Sequence, residues 1–278
     1  MQLVLKNKQQ PMQSMIVWAF TFPIMAILGL LISMQTLAQQ SIQTSVSSYG
    51  FVGDYGLETD TFTLATQASI KYQQDQWSLR FTQPYIFQDG PAELILLEDG
   101  ETDEVFLVGS EERKQRNGYS DPSLSMSYSW PKKSKTGRWS VSGRWKIPTA
   151  DQQQGFSNGR NEVTANISRS YRYKRWMFHG RVGRHLREYG EFADNTARNH
   201  MSLGGMYFLT RRTGLGISLY HKQATQSQVD SVQSFNLDMR VRLDRQWQLG
   251  AHAGMGLTDS AAEYFAGLDL SFRWKLPK

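Results

Sequence analysis

The chain has 278 residues, of which 40% are hydrophobic and 12% aromatic, with no cysteine and a formal net charge of +6. The mean hydropathy of -0.50 excludes a polytopic helical membrane protein, which needs several apolar runs of about 20 residues, and the aromatic content is too high for a disordered chain. Lack of cysteine rules out disulfides, thiolate metal sites and cysteine nucleophiles. Charges of both signs are scattered, so the basic excess does not indicate nucleic acid as a partner.

Residues 1–15 are polar and carry Lys6 and Lys8 but no acid. From Met15 to Met34 the chain is apolar, broken only by Thr21, Pro23 and Ser33, and it ends in Thr36-Leu37-Ala38. A basic start, an apolar middle and a small-x-small ending predict a secretory signal peptide over 1–38, cleaved after Ala38. The competing reading is an uncleaved anchor, for which the run is long enough. Pro23 and the Thr-x-Ala ending favour cleavage. The remainder, 39–278, reads as one domain.

Beyond that leader, period-two alternation dominates, as half-buried strands require. Leu124, Met126, Tyr128 and Trp130 alternate with Ser123, Ser125, Ser127 and Ser129. Phe235, Leu237, Met239 and Val241 alternate with Asn236, Asp238, Arg240 and Arg242. Tyr264, Ala266, Leu268, Leu270, Phe272 and Trp274 alternate with Gly267, Asp269, Ser271 and Arg273. A soluble sandwich and a lipid-facing barrel both alternate. The segments run to about 10–14 residues, whereas a tilted bilayer-crossing strand needs about 9–11 and an ordinary strand averages about 5–6. Aromatics also cluster beside short turns, at Tyr72 and Trp77, Trp130 and Trp139, Tyr173 and Trp176, and Trp247 and Trp274, as an interfacial girdle would. With the export signal, these features predict an all-β fold: a transmembrane antiparallel up-and-down β-barrel of about twelve strands.

The expected strands are 41–53, 60–72, 76–88, 119–130, 138–148, 160–173, 175–189, 197–209, 213–225, 231–243, 246–258 and 262–275. Short turns alternate with longer loops, the longest being 89–118. Short periplasmic turns and long outer loops are the expected asymmetry, and an even strand count leaves both termini in the periplasm. The expected location is therefore the outer membrane of a Gram-negative bacterium.

Several motifs occur in order: Gly53-Asp54-Tyr55-Gly56; Gln83-Pro84-Tyr85 with Asp89-Gly90-Pro91; and Gly118-Tyr119-Ser120-Asp121. Lys146-Ile147-Pro148-Thr149-Ala150-Asp151 and Gly155-Phe156-Ser157-Asn158-Gly159-Arg160-Asn161-Glu162 follow. Together they resemble the outer-membrane transporter family labelled "meta-pathway of phenol degradation". That resemblance implies an outer-membrane barrel passing small, aromatic molecules. One departure is the ending Leu276-Pro277-Lys278, because such barrels commonly end in the aromatic residue that the assembly machinery reads. Trp274 is the candidate substitute for it.

With apolar faces toward lipid, the lumen receives Arg80, Arg144, Lys146, Glu162, Arg181, Asp238, Arg240, Arg242, Asp269 and Arg273, together with Lys71, Arg172 and Arg187. Basic groups outnumber acids, as in anion-favouring pores. The alternative is an ion-paired interior filling a narrow barrel. Loop 89–118 holds Glu98, Asp99, Glu101, Asp103 and Glu104 between the apolar stretches 94–97 and 105–108, which read as a hairpin with an acidic tip. It is a candidate gate over the lumen, or a divalent-cation site at the lipopolysaccharide surface, or a solvated loop.

His200 and Ser202 share one strand face, a possible base and nucleophile that faintly resembles the His-x-Ser of outer-membrane phospholipase A. Met201, Leu203 and Tyr207 turn that face inward, and no third orienting residue is evident. No cofactor motif or metal-binding spacing is present, so no cofactor is expected. The expected function is a channel for passive uptake or efflux of small solutes, anionic or aromatic. The alternatives are a filled, surface-interacting barrel and a lipid hydrolase using Ser202 and His200. Expected partners are outer-membrane lipids and lipopolysaccharide, the barrel assembly machinery and a small-molecule solute, with no nucleic acid.

Overall fold

The computed structural model describes residues 40–55, 58–91, 93–96, 102–106, 113–131, 137–151, 155–157, 159–187, 198–224 and 231–276. The expected leader, 1–38, lies outside them. The strands are β1 (Gln40–Gly53), β2 (Thr61–Gln74), β3 (Trp77–Gly90), β4 (Glu93–Leu96), β5 (Thr102–Phe106), β6 (Lys114–Tyr119), β7 (Ser123–Trp130) and β8 (Gly137–Lys146). They continue as β9 (Glu162–Tyr173), β10 (Trp176–Arg187), β11 (Arg198–Phe208), β12 (Thr213–Lys222), β13 (Val232–Arg242), β14 (Trp247–Gly256) and β15 (Tyr264–Lys275).

Every neighbouring pair is antiparallel, and the sheet closes on itself because β1 pairs with both β2 and β15 while β2 pairs with β3. Closure removes sheet edges and satisfies the backbone in lipid, where an unpaired amide is expensive. β6 and β7 share one stave: β3 pairs with β7 up to Thr82↔Ser123 and with β6 from Tyr85↔Tyr119. The barrel thus has twelve staves.

The alternation sorts cleanly. Leu203 (69% exposed), Leu268 (59%) and Val182 (54%) point outward, while Tyr220, Glu162, Thr164 and Ser271 point inward and are buried. An apolar surface this continuous suits acyl chains, which satisfy no polar group. Two outward hydroxyls satisfy each other instead, Ser48 Oγ and Thr66 Oγ1 at 3.1 Å. Rings ring the barrel at the short-turn end: Trp77 stands against Tyr128 (4.6 Å), Trp176 against Tyr207 (5.0 Å) and Trp247 against Phe272 (4.7 Å). Trp274 joins them, 4.4 Å from Phe272. Two tight hairpins at this end turn on residues with positive φ, Asp75 (50°) and Lys174 (53°).

One boundary differs from expectation. The fourth stave begins at Lys114, not at 119, and is broken at 120–122. Lys114-Gln115-Arg116-Asn117 has no apolar face because this pairing extends past the lipid-facing belt, so alternation does not mark it. The break follows from Pro84 and Pro122, neither of which has an amide to donate. Gln83 bridges the gap, its Nε2 donating to Ser120 O at 2.8 Å. The expected hairpin in 89–118 is present as β4 paired with β5.

Candidate functional site

One sector of the inward face at the long-loop end is apolar and largely aromatic. Tyr49 and Phe51 of β1, Ala65 of β2 and Ile86 of β3 form a buried cluster with Tyr55, Phe156 and Ala262, and Phe265 of β15 packs against it. Phe156 belongs to no strand. It comes from the β8–β9 loop and is 2% exposed, so that loop folds into the barrel mouth and seats an aromatic ring inside. Burial pushes the Tyr55 hydroxyl up from its ordinary range.

What holds the loop is a polar knot around Asp121. Its Oδ1 accepts the amides of Thr149 and Ala150, both at 2.9 Å, and its Oδ2 accepts Ser157 Oγ at 2.6 Å. Ser120 Oγ donates to Phe156 O at 3.0 Å. Beneath lies a buried ionic group: Lys146 Nζ is 2.9 Å from Glu162 Oε2 and 3.9 Å from Asp121 Oδ2. His185 Nε2 is 3.3 Å from the same Glu162 oxygen, and its Nδ1 is 2.9 Å from Thr164 Oγ1. Lys146, Glu162 and Asp121 are each at most 3% exposed. Charges this deep are tolerated only when paired and hydrogen-bonded.

Alongside the knot runs an internal cavity of about 290 Å³, from Ser78 and Ser127 near the short-turn end to His185 and Lys222 near the long-loop end. Lys71, Arg80, Arg144, Arg181 and Lys222 line it, with serine hydroxyls from β3, β7, β8 and β9 and, among the described residues, no carboxylate. Some hydroxyls also tie neighbouring staves, as Ser78 Oγ does to Ser127 Oγ at 2.7 Å and Ser129 Oγ to Ser140 Oγ at 2.6 Å. The wall of β13–β15 differs. There His252 bridges two acids, Nδ1 lying 2.7 Å from Asp238 Oδ1 and Nε2 2.8 Å from Asp269 Oδ1.

The expected lumen residues therefore fall into separate places. Arg80, Arg144 and Arg181 come together on the cavity. Lys146 and Glu162 sit in the knot beside it, and Asp238 and Asp269 flank His252. Arg240 and Arg242 are exposed on β13, and Arg273 of β15 donates from Nη2 to Gln43 Oε1 at 3.4 Å. Glu98, Asp99 and Glu101 lie outside the described residues, and Asp103 and Glu104 are on β5. His200 Nε2 donates to Asn166 Oδ1 at 2.6 Å, which commits the ring toward β9. Asp121, Thr164 and Lys222 were not singled out as site residues by the sequence. Parity along β9 and β12 marks Thr164 and Lys222 as inward, whereas nothing local marks Asp121 as the hub of a knot.

The family described as "Putative MetA-pathway of phenol degradation" matches residues 38–274. The chain belongs to that family. No curated protein matches it. Among solved structures it is similar to the COG4313 outer membrane channel from Pseudomonas putida F1, at 12% identity and a TM-score of 0.66, covering 86% of this chain and 97% of that one. It is also similar to the NanC porin, at 9% identity and a TM-score of 0.51, covering 84% of this chain and 100% of that one. These likenesses are of fold: this member of the family has the closed architecture of outer-membrane barrels.

Proposed function

We propose that this family member is a channel of the Gram-negative outer membrane through which small solutes pass passively, in either direction. The observation that carries the reading is the polar cavity running along the lumen inside a barrel whose outer surface is apolar. A structural barrel has no need of a hydrated interior path, and filled small barrels pack side chains there instead. The apolar belt would meet lipid acyl chains, with lipopolysaccharide at the long-loop rim, after insertion by the barrel assembly machinery. The fold relatives are a channel and a porin, and His200 is turned to Asn166, so the reading is of a non-enzyme.

A second reading, a filled barrel acting through its outer surface, is favoured by Phe156 seated in the mouth. Planar-bilayer conductance separates the two. The barrel, shown to be folded by heat-modifiable gel mobility, should give discrete current steps. A folded but silent barrel sinks the channel reading and leaves the filled one.

A further inference from the structure

Two costs meet at the barrel mouth, both on Tyr55. This residue follows β1 and is buried in the apolar cluster that Phe156 completes. Its hydroxyl oxygen is enclosed and has no hydrogen-bond partner among the described residues. A buried hydroxyl without a partner bears the full cost of leaving water. Its backbone turns at φ 53°, a left-handed conformation that a bulky side chain resists. Such strain persists where the surroundings enforce it, and it concentrates at switch segments. The surroundings here are of two kinds. Tyr49, Phe51, Ala65 and Ile86 stand on strands laddered on both sides. Phe156 stands on no strand. Outside their own loop, Phe156 and Ser157 are tied, among the described residues, by Ser120 Oγ donating to Phe156 O at 3.0 Å and Ser157 Oγ donating to Asp121 Oδ2 at 2.6 Å.

We propose that Phe156 and Ser157 form a reversible gate at the mouth. It is closed in this structure, held by Ser120 and Asp121, and it opens when Phe156 withdraws and water reaches the Tyr55 hydroxyl. The closed state bears the cost on Tyr55, and the open state gives up the two ties. These terms oppose each other, so the balance shifts with either one. Passage of solutes through the gate rests on the channel reading, whereas the motion itself does not.

The chain has no cysteine, so one introduced thiol reports the motion. Ala65 is fully buried on β2 within the cluster, and Ala65→Cys should react with a water-soluble maleimide when the mouth is open. In the detergent-folded barrel, checked by heat-modifiable gel mobility, slow labelling is expected. Asp121→Asn should speed it about tenfold or more, because the Ser157 tie weakens. Tyr55→Phe should slow it about five- to tenfold, because the closed state sheds its unpartnered hydroxyl. If Asp121→Asn does not fold, Ser157→Ala removes the same tie from its other end. Met206→Cys, buried on β11 against Gly214 and outside the cluster, should label at a rate that none of these variants moves. A folded barrel with Ala65→Cys unlabelled overturns the gate, as does a rate that the Asp121 or Tyr55 variant leaves unmoved. Faster labelling in Tyr55→Phe, or equal acceleration at Met206→Cys, also overturns it. Bilayer current from the same preparation keeps the two readings apart. Labelling as expected without current overturns the channel and keeps the gate, whereas current without labelling keeps the channel and overturns the gate.

Discussion

Asp121, at the break between β6 and β7, accepts a 2.6 Å hydrogen bond on Oδ2 from Ser157, which lies in the loop joining β8 to β9. The same carboxylate takes two backbone amides of that loop. One buried acid thus replaces the strand ladder that the loop lacks. Asp121→Ala leaves the buried Ser157 hydroxyl and two part-buried amides without their acceptor and takes one counter-charge from Lys146. The expected cost is about 3 kcal/mol or more, the range for breaking a buried charged network. Urea unfolding of the barrel in micelles reads it, and an unchanged midpoint would show that the loop holds without Asp121.

Phe156 is the loop's other anchor. Removing its ring should cost about 3–5 kcal/mol if the site cannot collapse. It should also widen the mouth, because Tyr49, Phe51 and Ile86 stand on rigid staves and cannot close over the space. Phe156→Ala is therefore expected to raise single-channel conductance while lowering thermal stability. A fall in stability with no change in conductance would place the narrowest point elsewhere.

Lys146 and Glu162 give a third test. Each alone is costly to remove because it leaves the other charged and buried, at about 3–5 kcal/mol. The double substitution Lys146→Met with Glu162→Gln removes both charges and should cost less than the two singles added together. A double-mutant cycle measures that shortfall. Additive costs would mean that the two side chains, 2.9 Å apart, do not depend on each other.

Much of the barrel was legible from the sequence, for one physical reason. A strand facing lipid on one side and water on the other must alternate over its whole length, so expected strand 262–275 lies almost on Tyr264–Lys275 and expected strand 231–243 almost on Val232–Arg242. β6 escaped because it pairs above the apolar belt, where nothing demands alternation. The knot escaped differently. Its parts lie within recognisable motifs, Ser120-Asp121, Lys146 with Thr149-Ala150, and Phe156-Ser157. Their meeting with Asp121 spans sequence separations from 25 residues (Lys146) to 36 (Ser157), which no local pattern encodes. The cavity was partly legible: parity placed Arg80, Arg144 and Arg181 inside, but only the closed ring brings them onto one path.

The two faces of β11 offer a direct contrast. Leu203 is 69% exposed on the outer surface, and its neighbour Ser202 points inward. Leu203→Arg should cost about 2–4 kcal/mol if Leu203 sits near the bilayer midplane. Ser202→Arg places the same charge toward the polar lumen and should cost far less. The amount of heat-modifiable barrel in outer-membrane fractions reports both. Equal depletion would contradict the assignment of faces, and preserved lipase activity in Ser202→Ala would dispose of the hydrolase alternative.

At the opposite end, Asp244 closes the β13–β14 turn. Its Oδ1 accepts the amides of Gln246 and Trp247, both at 2.6 Å. Those bonds, Trp247's first, hold the carboxyl below its ordinary value. A carboxyl lowered in the folded state contributes stability that is fully present above its unfolded value, about 3.9, and is lost as pH falls through the folded one. The turn should therefore be unaffected between neutral pH and about 5 and should loosen only below about 4. Amide exchange at Gln246 and Trp247, followed from pH 6 to pH 3, reads this directly. In Asp244→Ala both amides should exchange fast throughout, with the acid-dependent step gone; a step that persists would assign it to another group.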